Sequence, residues 1–185
     1  MKIVLTGGTG LIGGAIARRL ASAGHEVVVL TRSHRADADG IRYLAWDGRT
    51  SGSWETEIAG AGAVMNLAGE SVGSRWTRAK KERIAGSRVD ATRTIVRAMG
   101  SSASRSSVLI NASAVGYYGN VPEGEVTETT PPGKDLLGRT CVAWEAEARK
   151  AEQFGVRVVM LRTGFVIARE AEAFQRLILP YKLFV

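Results

Sequence analysis

The stretch TGGTGLIG (6–13) constrains the fold more than any other part of the sequence. Its glycines follow the spacings G-x-x-G-x-x-G and G-x-G-x-x-G: Gly7, Gly8, Gly10 and Gly13. The run KIVLT (2–6) before them is typical of a short buried strand, and apolar residues recur at helical spacing after them, up to Gly24. A strand, a glycine loop and a helix N-terminus together allow a close backbone approach to a pyrophosphate, so this stretch predicts a dinucleotide site.

The rest of the chain repeats the alternation of strand and helix. Five further runs are typical of buried strands: EVVVLT (26–31), IRYLAW (41–46), AVMNLA (63–68), SVLINAS (107–113) and VRVVMLRT (156–163). Helical patterns lie between the later ones, at 76–99 and 138–154. Near-continuous apolar strands that alternate with helices indicate a parallel sheet covered on both faces. We therefore predict an α/β, doubly wound, Rossmann-type dinucleotide-binding domain over 1–164.

The end of the second strand distinguishes between two cofactors. NAD sites usually place Asp or Glu there, about 20 residues after the glycines, to bind the ribose hydroxyls. Here the strand ends in Thr31 and Arg32 with no carboxylate, and Arg32 can contact a ribose 2′-phosphate, helped by Ser33 or Arg35. This pattern favours NADP(H) over NAD(H). The alternative is that Arg32 is only a surface residue on a loop.

Composition narrows the class of protein further. The chain has 185 residues, enough for one domain with a sizeable core. No run approaches the roughly 18 apolar residues of a membrane span, and no signal peptide precedes the first strand, so we expect a cytoplasmic location without a membrane partner. The lone Cys141 cannot form an internal disulfide, and with two isolated histidines it offers no metal-ligand spacing, so no metal is expected.

The net charge of +7 raises the question of a polyanionic partner, because basic residues crowd the region between Arg75 and Arg105. A nucleic acid bound along the basic helix at 75–97 is one interpretation. A solvated helix face, with some charge used on a phosphorylated dinucleotide, is the simpler one. We therefore do not expect a nucleic-acid partner.

Six motifs resemble those of the extended short-chain dehydrogenase/reductases in order and spacing: TGGTGLIG, NLAGE (66–70), SRVDAT (87–92), NASAVGYYG (111–119), VTETTPP (126–132) and LRTG (161–164). The segments RWTRAKKERIAGSR (75–88) and CVAWEAEA (141–148) are similar to an atypical branch, the epimerase family, also labelled nucleoside-diphosphate-sugar epimerase or cell-division-inhibitor-like. The resemblance implies hydride transfer between NADP(H) and a small carbonyl or hydroxyl substrate, such as a nucleotide sugar. It also implies that residues 165–185 are the start of a C-terminal substrate region, most of which is missing.

The resemblance also implies which residues contact the cofactor. Residues 67–70 would follow the fourth strand beside the riboses, and Arg88 would face the cofactor from the long helix. The full expected set is Gly7, Thr9, Gly10, Leu11, Ile12, Gly13, Thr31, Arg32, Leu67, Ala68, Gly69, Glu70 and Arg88. Members of the group often pair through helices like 76–99 and 138–154, which makes a homodimer the implied assembly.

The usual proton-transfer pair of the group is absent. Extended members use Ser or Thr to hold the reacting oxygen and Tyr-x-x-x-Lys to move the proton, because a tyrosine is a poor base at neutral pH unless a nearby cation stabilises its phenolate. None of the six lysines has a tyrosine four residues before it. Alignment of the helix puts Leu137 and Cys141 at the two positions, and Cys141 is expected in the core rather than as a nucleophile.

Three residues after the fifth strand are the remaining catalytic candidates: Ser113, Tyr117 and Tyr118. Ser113 could orient the reacting oxygen, although a shift of one residue would give that position to Ala114. Either tyrosine could replace the lost acid, with Arg88 or Lys134 as its cation. The alternative is that the tyrosines only pack under the loop at 119–135. The absent pair also keeps a second function open, a non-catalytic NADP(H)-binding regulatory or redox-sensing module.

Overall fold

The computed structural model describes residues 1–102, 104 and 106–183, so Arg105 and the last two residues of the 165–185 region lie outside the described residues. In the described part, six strands form one sheet: β1 Lys2–Thr6, β2 Glu26–Thr31, β3 Ile41–Ala45, β4 Ala63–Asn66, β5 Val108–Ala114 and β6 Arg157–Thr163. The helices described are α1 Leu11–Ser22, α2 Glu55–Ile58, α3 Arg78–Ser101, α4 Leu136–Arg149 and α5 Glu172–Lys182, with short 3₁₀ helices at Val115–Tyr118 and Lys150–Phe154.

All six strands are parallel, in the order β3-β2-β1-β4-β5-β6. The prediction of a doubly wound Rossmann-type sheet is confirmed. The direction of winding reverses between β1 and β4, which are hydrogen-bonded neighbours. Ligands of such sheets bind at the carboxyl ends of the strands at this reversal, so the topology itself selects the edge where a site is expected.

Both faces of the sheet are packed. Val4 and Val28 pack with residues of α3 and α4 on one face, whereas Leu5 and Val29 pack against Ala17 of α1 on the other. Successive strand side chains point to opposite faces, so a strand that is buried on both sides must be apolar at nearly every position. This requirement explains the continuous apolar runs of the sequence.

Helix boundaries differ from the sequence prediction where side chains cap the ends. Helix α3 starts at Arg78 because the Thr77 side chain accepts a hydrogen bond from the Lys80 N–H. Helix α4 starts at Leu136, two residues earlier than predicted, because Asp135 caps it in the same way. The predicted helix 138–154 changes to a 3₁₀ helix at Lys150 and stops at Gly155, whose φ is 76°.

Two helices were not predicted, the single turn α2 and the terminal α5. Helix α5 exposes much of its apolar surface, including Leu177 and Tyr181. Across the described ranges, no helix combines the length and the apolar character needed to cross a bilayer.

A buried polar network fixes the carboxyl ends of the central strands. Asn66, at the end of β4, accepts a hydrogen bond of 2.7 Å from Thr6 Oγ1 and donates to Thr92 Oγ1 and Asn111 Oδ1 at 2.8 and 2.7 Å. Trp144 Nε1 of α4 also donates to Thr92 Oγ1. Buried polar groups of this kind hold a unique geometry when each finds a partner. The network therefore holds β1, β4, β5, α3 and α4 in register beside the expected site.

Candidate cofactor site

A cleft of about 650 Å³ opens at the carboxyl ends of β1, β2 and β4. Most of the predicted cofactor residues line it: Gly7, Thr9, Gly10, Thr31, Arg32, Leu67, Ala68, Gly69 and Glu70. The structure thus brings together, at one edge of the sheet, residues from three separate loops. The volume of the cleft lies in the range of ordinary ligand pockets.

The glycine loop forms the floor of this cleft. Gly7 has a φ of +70°, and a Cβ there would lie 2.6 Å from the Leu67 carbonyl oxygen. A Cβ on Gly8 would lie 2.8 Å from the Val29 methyl groups. At Gly10, which directly precedes α1, no side chain caps the first N–H groups of the helix. A loop without room for side chains, followed by an uncapped helix N-terminus, fits the pyrophosphate of a dinucleotide.

Three predicted contacts belong to the first turn of α1 rather than to the wall of the cleft. Leu11 and Ile12 are each 40% exposed, and Gly13 is buried where a Cβ would collide with the Gly7 backbone. Gly13 therefore brings the helix against the loop. Whether any of the three touches a cofactor stays a prediction.

Arg32 lies on the cleft wall beside Ser33, at the end of β2. Thr31 is buried, and its Oγ1 accepts a hydrogen bond of 3.3 Å from the Ser33 N–H. Arg35 is not among the lining residues; its guanidinium lies 6.0 Å from the ring centre of Tyr43. Of the two arginines considered for the ribose phosphate, Arg32 is the one that faces the cleft.

The turn after β3 also lines the cleft, which the sequence analysis missed. Its lining residues are Trp46, Asp47, Gly48 and Arg49. The Asp47 carboxylate accepts the N–H groups of Thr50 and Arg49, and these hydrogen bonds hold the pKa of Asp47 below its usual range. The Asp-Gly pair directly after a predicted strand was the available signal for this turn.

Glu70 closes the β4 side of the cleft and is tied to α3. Its carboxylate accepts from Lys80 Nζ at 2.8 Å and lies 3.5 Å from Arg83 Nε. The hydrogen bond from Lys80 is the main cause that lowers the pKa of Glu70. Its backbone N–H donates to Ser87 Oγ. These bonds fix the loop at 67–70 against the long helix.

Arg88 lies behind this loop and is not among the residues that line the cleft. Its Nη1 donates to the carbonyl oxygens of Glu70 and Ile84, at 3.1 and 2.9 Å. Its Cζ lies 5.2 Å from the ring centre of Trp144. Burial lowers the pKa of Arg88. The guanidinium therefore bridges the loop after β4 and helix α4.

The three catalytic candidates lie outside the cleft, at the carboxyl end of β5. Ser113 is buried, and its Oγ donates to Glu145 Oε1 at 2.6 Å. Tyr117 and Tyr118 are half-buried on the 3₁₀ helix Val115–Tyr118, with ring centres 5.3 Å apart in an edge-to-face arrangement.

Arg162 of β6 connects these residues to α4. Its Nε and Nη2 each donate to one oxygen of Glu145 at 2.9 Å, and its Nη1 donates to the Tyr118 hydroxyl at 3.0 Å. Its Cζ lies 3.5 Å from the Tyr117 ring centre. The cation beside the tyrosines is thus Arg162, where the sequence analysis considered Arg88 or Lys134. We call Ser113, Tyr117, Tyr118, Glu145 and Arg162 the Glu145–Arg162 cluster.

The charges of this cluster compensate one another. Burial raises the pKa of Glu145, but the hydrogen bonds from Arg162 and Ser113 outweigh it and hold the pKa below its usual range. The hydrogen bond to Glu145 raises the pKa of Arg162. Both residues are therefore charged across the physiological range.

Leu137 and Cys141 occupy the positions aligned with the missing pair. Leu137 packs on the 3₁₀ helix, where a Cβ on Gly116 would lie 3.3 Å from its own Cβ. Cys141 is 4% exposed, and burial raises the pKa of its thiol. Neither side chain can move a proton at neutral pH, and Cys141 is a core residue as expected.

A doubly wound sheet with a glycine loop at its point of reversal is typical of the α/β class of dinucleotide-binding domains. The family model described as the NAD dependent epimerase/dehydratase family matches residues 3–181, and the chain belongs to that family. It is 35% identical over its whole length to an epimerase family protein SDR39U1 homolog, chloroplastic, from Arabidopsis thaliana. It spans 54–61% of the length of the curated relatives it matches.

Two solved structures are similar over nearly the whole chain. Human epimerase family protein SDR39U1, crystallised with NADPH, gives a TM-score of 0.81 at 27% identity, covering 99% of this chain and 60% of the human one. A nucleoside-diphosphate sugar epimerase from Corynebacterium glutamicum gives a TM-score of 0.81 at 31% identity, covering 98% of this chain and 38% of the other. The resemblance noted in the sequence is confirmed.

Proposed function

We propose that this chain is the NADP(H)-binding domain of an oxidoreductase or epimerase-like enzyme that acts by hydride transfer on a small carbonyl or hydroxyl substrate. The observation that carries the proposal is a single cleft on which the glycine loop, the uncapped start of α1 and Arg32 all open. The similarity to a human protein crystallised with NADPH supports it. We favour a nucleotide sugar as the substrate class. We also propose that the protein acts in the cytoplasm.

The choice of NADP(H) rests on Arg32. Among the described residues, Arg32 makes no ion pair and its side chain makes no hydrogen bond, so its guanidinium is available to a ligand. The end of β2 at Thr31, Arg32 and Ser33 carries no carboxylate, and the Asp47 carboxylate on the same cleft accepts hydrogen bonds from Arg49 and Thr50. A charge-assisted hydrogen bond between a guanidinium and a phosphate is among the stronger polar contacts in proteins.

The test is a fluorescence titration with NADPH and with NADH, repeated on Arg32→Ala. We expect NADPH to bind at least about tenfold tighter, or about 1.4 kcal/mol, with the preference lost in Arg32→Ala. Arg35→Ala is the matched control, because Arg35 carries the same charge three residues away but lies against Tyr43. Equal affinity for the two cofactors, or a preference that survives Arg32→Ala, would contradict the choice of NADP(H).

For the chemical step, we propose Tyr118 as the proton-transferring group. A bound NADPH would be the source of the hydride for the carbonyl carbon. The Tyr118 hydroxyl gives its proton to the carbonyl oxygen, Arg162 stabilises the phenolate that remains, and solvent returns the proton. Within the described part of the chain, the Tyr118 hydroxyl only accepts, from Arg162, so its own hydrogen is free for a substrate. Ser113 and Tyr117 remain alternative candidates.

A second candidate function is a non-catalytic NADP(H)-binding module with a regulatory or redox-sensing role. The observation that favours it is the replacement of the usual pair by Leu137 and the buried Cys141. The two functions are separated by Tyr118→Phe in the full-length protein. For an enzyme, we expect NADPH binding to be retained and NADPH consumption with a panel of nucleotide sugars and carbonyl compounds to be lost. A wild-type protein that binds NADPH but oxidises it with no member of the panel supports the module.

A further inference from the structure

Arg49 lines the cleft, and its side chain connects two of the cleft walls. Its backbone belongs to the turn after β3. Its guanidinium lies at α3, where Nε is 3.6 Å from Asp90 Oδ2 and Nη2 is 4.0 Å from the point where a Cβ on Gly86 would stand. Gly86 and Asp90 are one helical turn apart, and the residues that follow them, Ser87 and Ala91, line the cleft. The side chain therefore crosses the rim of the cleft between the turn and the helix.

The backbone of Arg49 is fixed, whereas its side chain is loosely held. Its N–H donates to the Asp47 carboxylate at 2.8 Å, and its carbonyl oxygen accepts from Thr94 Oγ1 at 3.0 Å. Within the described residues, the side chain makes no hydrogen bond, and 64% of it is exposed beside Asp90. An exposed ion pair contributes at most about 1 kcal/mol. The guanidinium can therefore turn towards a ligand while the backbone stays in place.

The order of the strands decides which part of a dinucleotide reaches this rim. The pyrophosphate belongs at the glycine loop after β1, and the adenosine ribose belongs at the end of β2. Strand β3 pairs with β2 on the side away from β1, and just after its end the Trp46 N–H donates to the Thr31 carbonyl oxygen at 2.9 Å. The base is the part of the adenosine beyond the ribose, so it extends to the end of the cleft between the turn after β3 and α3.

The chemistry of the Arg49 side chain suits the face of a purine. A guanidinium is planar and stacks on aromatic rings, whose faces attract its charge. The neighbouring charged groups that line the cleft, Asp47 and Arg83, have partners of their own. Asp47 accepts hydrogen bonds from its own turn, and Arg83 Nε lies 3.5 Å from the Glu70 carboxylate on the β4 side. Arg49 is thus a cation at this end of the cleft that can leave its partner at small cost.

We propose that Arg49 closes the adenosine end of the cleft: when a dinucleotide binds, the guanidinium leaves Asp90 and stacks on the purine base. This inference rests on the proposed function, the binding of a dinucleotide. It gives two arginines of the cleft different tasks. Arg32 distinguishes NADPH from NADH, whereas Arg49 holds the base that both cofactors contain.

The experiment uses two ligands that have only adenosine in common. NADH lacks the 2′-phosphate, and adenosine 2′-monophosphate lacks the pyrophosphate and the nicotinamide nucleotide. NADPH is titrated directly by its fluorescence, and the affinities of the other two ligands are measured by displacement of NADPH. The variants are Arg49→Gln, Asp90→Asn and, for comparison, Arg32→Ala.

Arg97→Gln is the matched control for Arg49→Gln. Arg97 Nη2 donates to Ser51 Oγ and so ties α3 to the same turn, but Arg97 does not line the cleft. We expect Arg97→Gln to leave all three affinities unchanged. Thermal unfolding of each variant without ligand reports any purely structural effect.

We expect Arg49→Gln to weaken all three ligands by the same factor of about five, or about 1 kcal/mol, the size of a cation–π contact. Arg32→Ala should weaken only the two ligands that carry a 2′-phosphate. Asp90→Asn should weaken none of the three, because the bound guanidinium no longer needs its resting partner.

Three results would overturn the inference. In the first, Arg49→Gln weakens only the ligands with a 2′-phosphate or only those with a pyrophosphate, which would place Arg49 on a phosphate group. In the second, Arg49→Gln changes no affinity. In the third, Asp90→Asn weakens the ligands as much as Arg49→Gln does, so that the ion pair itself closes the cleft. Failure of the wild type to bind NADPH would instead overturn the proposed function, so the two failures are distinct.

Discussion

Two polar regions lie at the carboxyl edge of the same sheet, and they differ in how their donors are used. The cleft over β1, β2 and β4 presents an uncapped helix start and Arg32, whose donors have no partner among the described residues. In the Glu145–Arg162 cluster over β5 and β6, Arg162 gives hydrogen bonds to Glu145, Tyr118 and the Glu128 carbonyl oxygen. One region is prepared for a ligand, while the other is largely satisfied by its own chain.

This difference predicts that mutations in the Glu145–Arg162 cluster change mainly stability, whereas mutations in the cleft change mainly ligand binding. Breaking an internally satisfied ion pair leaves a buried charge without compensation, which is costly to folding. Removing a donor that has no internal partner costs the fold little and affects only the ligand. Arg88 lies between the two cases, because Nη1 donates to the backbone while its other side-chain nitrogens make no hydrogen bond to any described residue. Substitutions in each region can test this comparison.

The largest effect is expected for Glu145→Ala. The substitution leaves the Arg162 guanidinium, whose side chain is 14% exposed, without its carboxylate partner. We expect a loss of about 3–5 kcal/mol in the free energy of unfolding, measured by urea denaturation. Glu152→Ala, at an exposed position on the following 3₁₀ helix, is the control and should change stability by less than about 0.5 kcal/mol. A loss below about 1 kcal/mol for Glu145→Ala would contradict the view that the cluster is built for stability.

The next effect is expected for Gly7→Ala, which alters the floor of the cleft. The added methyl group would meet the Leu67 carbonyl oxygen at 2.6 Å, and the φ of +70° is unfavourable for alanine. We expect a stability loss of about 1–3 kcal/mol and a fall in NADPH affinity beyond about tenfold.

Gly24→Ala is the matched control for this substitution. Gly24 has a φ of +80°, and among the described residues no atom beyond Gly24 and its two chain neighbours lies within 4 Å of the point where its methyl carbon would stand, so it carries the backbone strain without the collision. NADPH affinity should be unchanged. If Gly24→Ala weakened NADPH as much as Gly7→Ala did, the floor of the cleft would not be what determines binding.

The sheet and the glycine loop could be predicted because their causes are local. A strand buried on both faces must be apolar at nearly every position, and VVVL (27–30) in β2 shows this in four adjacent letters. The turn into α1 needs glycines at fixed positions, which the spacing displays directly. Both signals can be read without knowing what packs against them.

The Glu145–Arg162 cluster could not be predicted for the opposite reason. Its members come from β5, the following 3₁₀ helix, α4 and β6, and the two charged residues are 17 positions apart. Nothing in the adjacent residues shows that Glu145 is buried or that Arg162 reaches Tyr118 rather than solvent. The two tyrosines could be predicted as candidates from the sequence. The arginine beside them could not, because it depends on the pairing of β5 with β6.

A smaller effect is expected in the pH dependence of stability. The pKa of Glu145 is held below its usual range in the fold, so its carboxylate stabilises the protein above the unfolded value of about 4.3 and loses that contribution as pH falls through the folded pKa. We expect the stability difference between wild type and Glu145→Gln to be constant near neutral pH and to shrink below about pH 4. Urea titrations at several pH values measure it. A difference that does not shrink in acid would show that shape, rather than charge, sets the effect of this residue.

The smallest effect on stability is expected for the two tyrosines of the Glu145–Arg162 cluster, which differ in whether the hydroxyl contacts Arg162. Tyr118→Phe removes the acceptor of one Arg162 hydrogen bond and should cost about 1 kcal/mol. Tyr117→Phe keeps the ring on which Arg162 packs, and among the described residues the Tyr117 hydroxyl makes no hydrogen bond, so its stability should stay within about 0.3 kcal/mol of wild type. Thermal unfolding of the two variants, measured side by side, tests both values. Equal losses would mean that the rings, and not the Tyr118 hydroxyl, carry the interaction with Arg162, and the proposed proton transfer would lose its structural support.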